Sequence, residues 1–240
     1  MRSTLPFIAL LFIVLGCSNT EEPLRERISL AGSWQFQLDT GLIGEQEQWY
    51  NQTLGDAIEL PGTTDSYQKG FLNTDTTTMH LNRQYTYAGA AWYQKKVTIP
   101  ESFAGKHLEL FFERTKPSKV WVDGDLVGTS MLLQSPQQFD LSKKLTPGNH
   151  TLTVLINNDL KLTPYGNVHI YSDDTQTNWN GILGDMYIEA KDLTFITDLQ
   201  VFPDIEQKQA TIQLGIANQL QSAKGTAELQ LYLNLNHETI

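Results

Sequence analysis

Apolar residues recur at every second position through most of this chain, and that period decides which backbone it can form. In Lys106-His107-Leu108-Glu109-Leu110-Phe111-Phe112-Glu113, the residues Leu108, Leu110 and Phe112 fall on one face of an extended segment. Leu152, Val154 and Ile156 do the same in the run Thr151 to Ile156. Between these runs, Asp123-Gly124 sits among apolar neighbours, the strongest short-range hairpin signal, because a type I′ turn needs positive φ at both central residues. Pro147-Gly148-Asn149 marks another turn, and Pro100 closes the strand from Ala91 to Ile99. From Ile28 onward no persuasive amphipathic helix is found. Short strands separated by turn signals predict an all-β chain, a sandwich or jelly roll.

The first residues follow a different rule. Arg2 precedes an almost unbroken apolar run from Leu5 to Leu15, too short for a transmembrane helix of roughly 20 residues. It ends at Val14-Leu15-Gly16-Cys17, which resembles the lipobox of bacterial lipoproteins, where the first mature residue carries the lipid. Residues 1–16 are therefore expected to be a lipoprotein signal peptide, Cys17 the lipidated residue, and residues 17–27 a polar tether. The alternative is an ordinary secretory signal with an incidental cysteine. Either way the protein is expected to be exported, and the lipid would hold it on a membrane facing the periplasm or the cell surface. Cys17 is the only cysteine, so no disulfide supports the fold and stability must come from burial.

The net charge of −10 argues against a nucleic-acid partner and against a polybasic patch on a membrane surface. It places no obstacle before a neutral sugar. The five histidines His80, His107, His150, His169 and His237 show no ligand spacing, so neither a metal nor a cofactor is expected. Asp123 and Asp125 flank the hairpin glycine and are explained by turn geometry. Asp173-Asp174 point to opposite sides of an extended segment and make a poor acid/base couple. No catalytic constellation is assigned.

Two stretches, Asn51 to Thr86 and Lys161 to Gly184, are polar, irregular and studded with aromatics. Binding residues concentrate on such loops over a rigid scaffold. The run His169 to Gly184 gathers amide, hydroxyl and carboxylate groups around Trp179. Sugar recognition uses that mixture, planar hydrogen bonders for hydroxyls and an aromatic face for the C–H side of the ring. Composition leaves open the other reading, in which Trp179 is core and the polar groups satisfy a buried loop.

An ordered set of segments resembles the N-terminal sugar-binding domain of glycoside hydrolase family 2, the family of β-galactosidases, β-glucuronidases and β-mannosidases. Leu30-Ala31-Gly32-Ser33-Trp34-Gln35-Phe36 is similar to its opening strand, and Leu60-Pro61-Gly62-Thr63-Thr64-Asp65 to its first long loop. The strand from Ala91 to Pro100, Phe112-Glu113-Arg114, Val120 to Gly124, Phe139 to Ser142 and the Thr151 strand follow in order. Thr175-Gln176-Thr177-Asn178-Trp179-Asn180-Gly181-Ile182 resembles the closing segment.

The resemblance implies a galactose-binding-like jelly-roll β-sandwich over residues 28–191, then an immunoglobulin-like domain, then a (β/α)₈ barrel whose two glutamates run a retaining mechanism. Residues 192–240 carry three further strand patterns, Leu193 to Phe202, Ala210 to Ile216 and Ala227 to Leu235. They fall short of the roughly 100 residues of an immunoglobulin-like sandwich, which is expected to be incomplete here, with the catalytic barrel outside the chain. The resemblance carries over Gln176, Asn178 and Trp179 as substrate-side residues, with Asp65 from the first loop. Where some β-galactosidases place an aspartate, this chain has Thr177, which points away from galactose. The expected partners are an oligosaccharide or polysaccharide substrate, the membrane through the anchor alone, and further copies of the full-length protein in a homo-oligomer. The competing expectation is a self-standing carbohydrate-binding surface lipoprotein without hydrolase activity.

The anchor is directly testable. Cys17→Ala is expected to move the protein from the membrane fraction to the soluble fraction on cell fractionation, and retention on the membrane would refute lipidation.

Overall fold

The structure is a computed structural model that describes residues 25–76, 82–133, 135–165, 168–169, 171–172, 175, 178–222 and 224–226. Its strands are β1 (Glu26–Ser29), β2 (Gly32–Asp39), β3 (Asp56–Leu60), β4 (Gly62–Thr63), β5 (Phe71–Leu72), β6 (Tyr85–Thr86), β7 (Ala90–Ile99) and β8 (His107–Thr115). They continue with β9 (Ser118–Val122), β10 (Asp125–Ser130), β11 (Gln137–Asp140), β12 (Gly148–Asn157), β13 (Gly181–Lys191), β14 (Thr194–Asp204) and β15 (Gln209–Asn218). The helical pieces are single 3₁₀ turns, at Trp49–Asn51, Asp65–Tyr67, Glu101–Phe103 and Leu160–Leu162. The chain is all-β, as its period predicts.

Two antiparallel sheets face each other. One runs β1-β13-β8-β11, with β4 also paired to β13; the other runs β10-β9-β12-β7-β2-β3. Alternate residues of each strand turn inward. Ala91, Tyr93, Val97 and Ile99 of β7 and Leu152, Val154 and Ile156 of β12 meet Leu108, Leu110 and Phe112 of β8 and Ile182, Met186 and Ile188 of β13. The hairpin between β9 and β10 has φ of 50° at Asp123 and 85° at Gly124, as a type I′ turn requires. The Asp123 carboxylate accepts the Thr151 amide at 2.7 Å and lies 2.6 Å from His150 Nδ1, so its role is local.

The opening differs from the expected single strand. The chain leaves one sheet at Ser29 and enters the other at Gly32, whose φ of 104° makes the corner. Strand β1 also reaches into the segment expected to be tether, because Arg27 pairs with Glu189 and its guanidinium bonds that carboxylate at 2.7 Å. In the irregular stretch Asn51 to Thr86, β3 forms the edge of the six-stranded sheet.

A second apolar cluster lies outside the sandwich. Trp92, Trp121 and Leu155 point outward from the six-stranded sheet and are buried under Trp49 and Leu54 of the loop between β2 and β3. The loop is pinned by the buried Asp39 carboxylate, which accepts Ile43 N at 2.8 Å, Gly44 N at 2.9 Å and Trp92 Nε1 at 3.0 Å. Gly44 lies against the Trp92 indole, where any side chain would collide. After β13, strands β14 and β15 form a separate two-stranded ribbon with Leu199, Val201, Phe202 and Ile216 exposed.

Asp39→Ala removes the acceptor of three donors, two of them in buried bonds. It is expected to cost about 3 kcal/mol in urea unfolding and to open the loop near Trp49 to proteolysis.

Candidate functional site

The end of the sandwich where β13 begins is built around Asn180. Its side chain is fully buried: Nδ2 donates to Gly89 O at 3.0 Å, Ile156 O at 3.1 Å and Asn158 Oδ1 at 3.2 Å, while Oδ1 accepts the Tyr93 hydroxyl at 2.7 Å. Asn158 in turn accepts Gly89 N at 2.9 Å and donates to Tyr87 O at 2.8 Å. Burial raises the Tyr93 hydroxyl pKa well above its usual value, so it stays a donor. These bonds tie the first residue before β13 to the opposite sheet.

Next along the chain, Gly181 has φ of 138° and pairs with Thr63 of β4. A Cβ there would strike the Gly62 carbonyl, so only glycine allows the two strands to approach. The Thr115 hydroxyl donates to Gly181 O at 2.7 Å, and Thr64 N donates to Asn180 O at 2.9 Å. The loop carrying Asp65 and the segment carrying Trp179 are thereby fixed side by side.

On this base the predicted residues fall as follows. Asp65 opens the 3₁₀ turn Asp65–Tyr67, and its Oδ2 lies 3.6 Å from Arg83 Nε. Arg83 also donates through Nη1 to the Asn178 carbonyl. Arg83 therefore links Asp65 to Asn178. The Asn178 side chain is buried, whereas Trp179 is half-buried and belongs to neither apolar cluster. The Lys116 ammonium stands 4.5 Å from the centre of the Trp179 ring and 4.7 Å from that of the buried Tyr171. Gln176 and Cys17 lie outside the described residues, as do His80, Asp173, Asp174, Thr177 and His237.

Two buried oxygens, Asp65 Oδ1 at this end and Thr163 Oγ1 after the 3₁₀ turn Leu160–Leu162, have no hydrogen-bond partner among the described residues. Buried polar atoms are nearly always paired, so such oxygens mark places for a water, a ligand or an adjoining group. Burial, with a smaller contribution in the same direction from the neighbouring Arg83 charge, lowers the Lys116 pKa to about 8. Among the described residues, no group of three His, Cys, Asp or Glu side chains is placed to hold a metal ion. The arrangement sets an aromatic face beside polar groups, and among the described residues it holds no acid/base pair.

Neither Arg83 nor Lys116 stands out in the amino-acid sequence. Each is an isolated basic residue with no periodic or motif context, and only the proximity of Lys116 to Pro117 at a strand end hints at a special position.

Comparison with known proteins identifies the sandwich. Residues 28–191 match the model of "Glycosyl hydrolases family 2, sugar binding domain". A β-glucuronidase of Paenibacillus borealis is 24% identical over 209 residues, 80% of this chain and 34% of that protein. A β-galactosidase of Photobacterium profundum is 26% identical over 219 residues, 87% of this chain and 20% of that protein. The solved β-glucuronidase of Ruminococcus gnavus in complex with uronic isofagomine superposes with a TM-score of 0.66 at 21% identity, covering 83% of this chain and 34% of that one. The chain thus spans about a third or less of the length of these relatives.

Asn180→Ala would leave the Tyr93 hydroxyl and two backbone carbonyls without their buried partner. A loss of about 3 kcal/mol is expected in thermal unfolding, whereas Tyr93→Phe should cost only about 1 kcal/mol.

Proposed function

The chain belongs to glycosyl hydrolase family 2 through its sugar-binding domain, and on that premise we propose that it is the non-catalytic front portion of a retaining exo-β-glycosidase. The observation that carries this reading is the family match over residues 28–191. Relatives named β-glucuronidase and β-galactosidase, each about three to five times longer than their shared segment, support placing the chemistry in a further domain. In that reading the two catalytic glutamates stand on a barrel outside these residues, and this chain supplies binding and orientation.

The division of labour follows from the side chains. Trp179 offers a half-buried aromatic face to the C–H side of a sugar ring. Asp65 and Gln176, carried over from the family, would meet hydroxyl groups, and Arg83, joined to Asp65 and to the carbonyl of the buried Asn178, would hold Asp65 in register. Holding one sugar in a fixed pose lowers the entropic cost of bringing the glycosidic bond to the glutamates. Strands β14 and β15 are the first strands of an immunoglobulin-like domain that joins this module to the barrel. Lipidated Cys17 would keep the enzyme on a membrane on the exported side, where oligosaccharides arrive, and the full-length protein would assemble as a homo-oligomer.

The test has two parts. The purified 240-residue chain should not turn over aryl β-glycosides; turnover would overturn the assignment of the chemistry to a barrel. The native polypeptide, detected with an antibody against the sandwich, should be several hundred residues larger than the 27.1 kDa of this chain. A native band at that mass would replace the glycosidase reading with the self-standing carbohydrate-binding lipoprotein. In either case Trp179→Ala should weaken sugar binding about tenfold or more in affinity electrophoresis.

A further inference from the structure

We infer that Lys116 is a positioning residue of this site: its ammonium, sunk between the Tyr171 and Trp179 rings, fixes the indole in the pose from which it meets a sugar. The inference rests on the reading of Trp179 as the sugar-facing ring, and it concerns what holds that ring in place.

The backbone around Lys116 leaves it little freedom. It occupies the short connection between β8 and β9, where the Lys116 carbonyl accepts Gln137 Nε2 at 3.0 Å and the Pro117 carbonyl accepts Asn157 N at 2.9 Å. On either side, the Thr115 hydroxyl bonds Gly181 O at 2.7 Å, and the Ser118 hydroxyl bonds Gln137 Oε1 at 2.5 Å. The side chain leaves this fixed point into the interior, with only 3% of the residue exposed. Both ring centres are within the roughly 6 Å over which a cation is drawn to an aromatic face.

The two rings are not equivalent. Tyr171 is fully buried and cannot shift without disturbing its surroundings, whereas Trp179 is half-buried and outside both apolar clusters. The lysine is thus braced against the first and acts on the second.

Burial opposes the charged form strongly enough to bring the lysine pKa down to about 8, and Arg83 is the charged group that acts on it among the described residues, itself paired with Asp65. At neutral pH the ammonium is therefore still the main form. The direction of the pH effect follows. Below about pH 8 the ammonium is present and the indole is held; above it the proton is lost and the attraction to both rings goes with it. The unfolded chain keeps its proton to about pH 10.4, so stability from this group rises over the window in which the clamp is released.

The experiment reads Trp179 in the full chain by subtracting the emission of Trp179→Phe from that of the native protein between pH 6.5 and 10. A transition centred near pH 8 is expected in the native chain, absent in Lys116→Met, with the Trp179 ring more accessible to acrylamide at pH 7 in that variant. A flat native signal to pH 9.5, or the same transition persisting in Lys116→Met, would overturn the inference. The native titration decides even if Lys116→Met fails to fold. No sugar enters this assay, so a normal titration combined with unchanged sugar binding in Trp179→Ala would refute the sugar-facing reading and leave the clamp standing.

Discussion

The hydrogen bonds of Asn180 are the constraint on which the rest of the site depends. The residue closes one sheet onto the other at the end where β13 begins, using both polar atoms of one short side chain. An apolar residue could fill the space but would take a donor from three carbonyls and the acceptor from the Tyr93 hydroxyl. Because those partners come from β7, β12 and the corner before β7, a shift of any of them displaces the segment carrying Asn178 and Trp179. The loop with Asp65 is registered to the same point by the pairing of Gly181 with Thr63. Precision in the loops is inherited from the sheets.

The outer faces of the two sheets solve a separate problem. Strands buried on one side only would expose Trp92 and Trp121 to water; the loop after β2 covers them, and Asp39 holds it there. On the other sheet the outer face is polar and self-paired. Glu189 is buried within reach of Arg27 at 2.7 Å and Lys191 at 3.4 Å, Lys191 bonds Glu109 at 2.6 Å, and the Arg27 guanidinium lies 4.1 Å above the Tyr187 ring. Tyr187 stacks on Phe111 at 4.7 Å, so the row reads as alternating planar groups rather than as an open platform.

Much of this architecture was legible in the residues. The inward faces of β7, β8 and β12 are long enough for their period to declare itself, and Asp123-Gly124 names its own turn. Strand β3 was hidden because Asp-Ala-Ile-Glu-Leu sends only Ile58 and Leu60 inward, too few to show a period. The corner at Leu30-Ala31 was missed because Leu30 and Trp34 are both apolar and read as one strand, although a change of sheet lies between them. At the site, Asp65, Asn178 and Trp179 stood out by composition and resemblance. Arg83 and Lys116 did not, since their importance comes from residues about ninety and sixty positions away that the fold brings to them.

The pairing of β1 with β13 has a consequence for the order in which the protein is made. Arg27 meets Glu189 across 162 positions of sequence. The leading strand can find no partner until nearly the whole sandwich has left the ribosome, and contacts of such separation form late and slowly. β1 therefore waits for its partner until β13 has been made, and joins the edge of its sheet last.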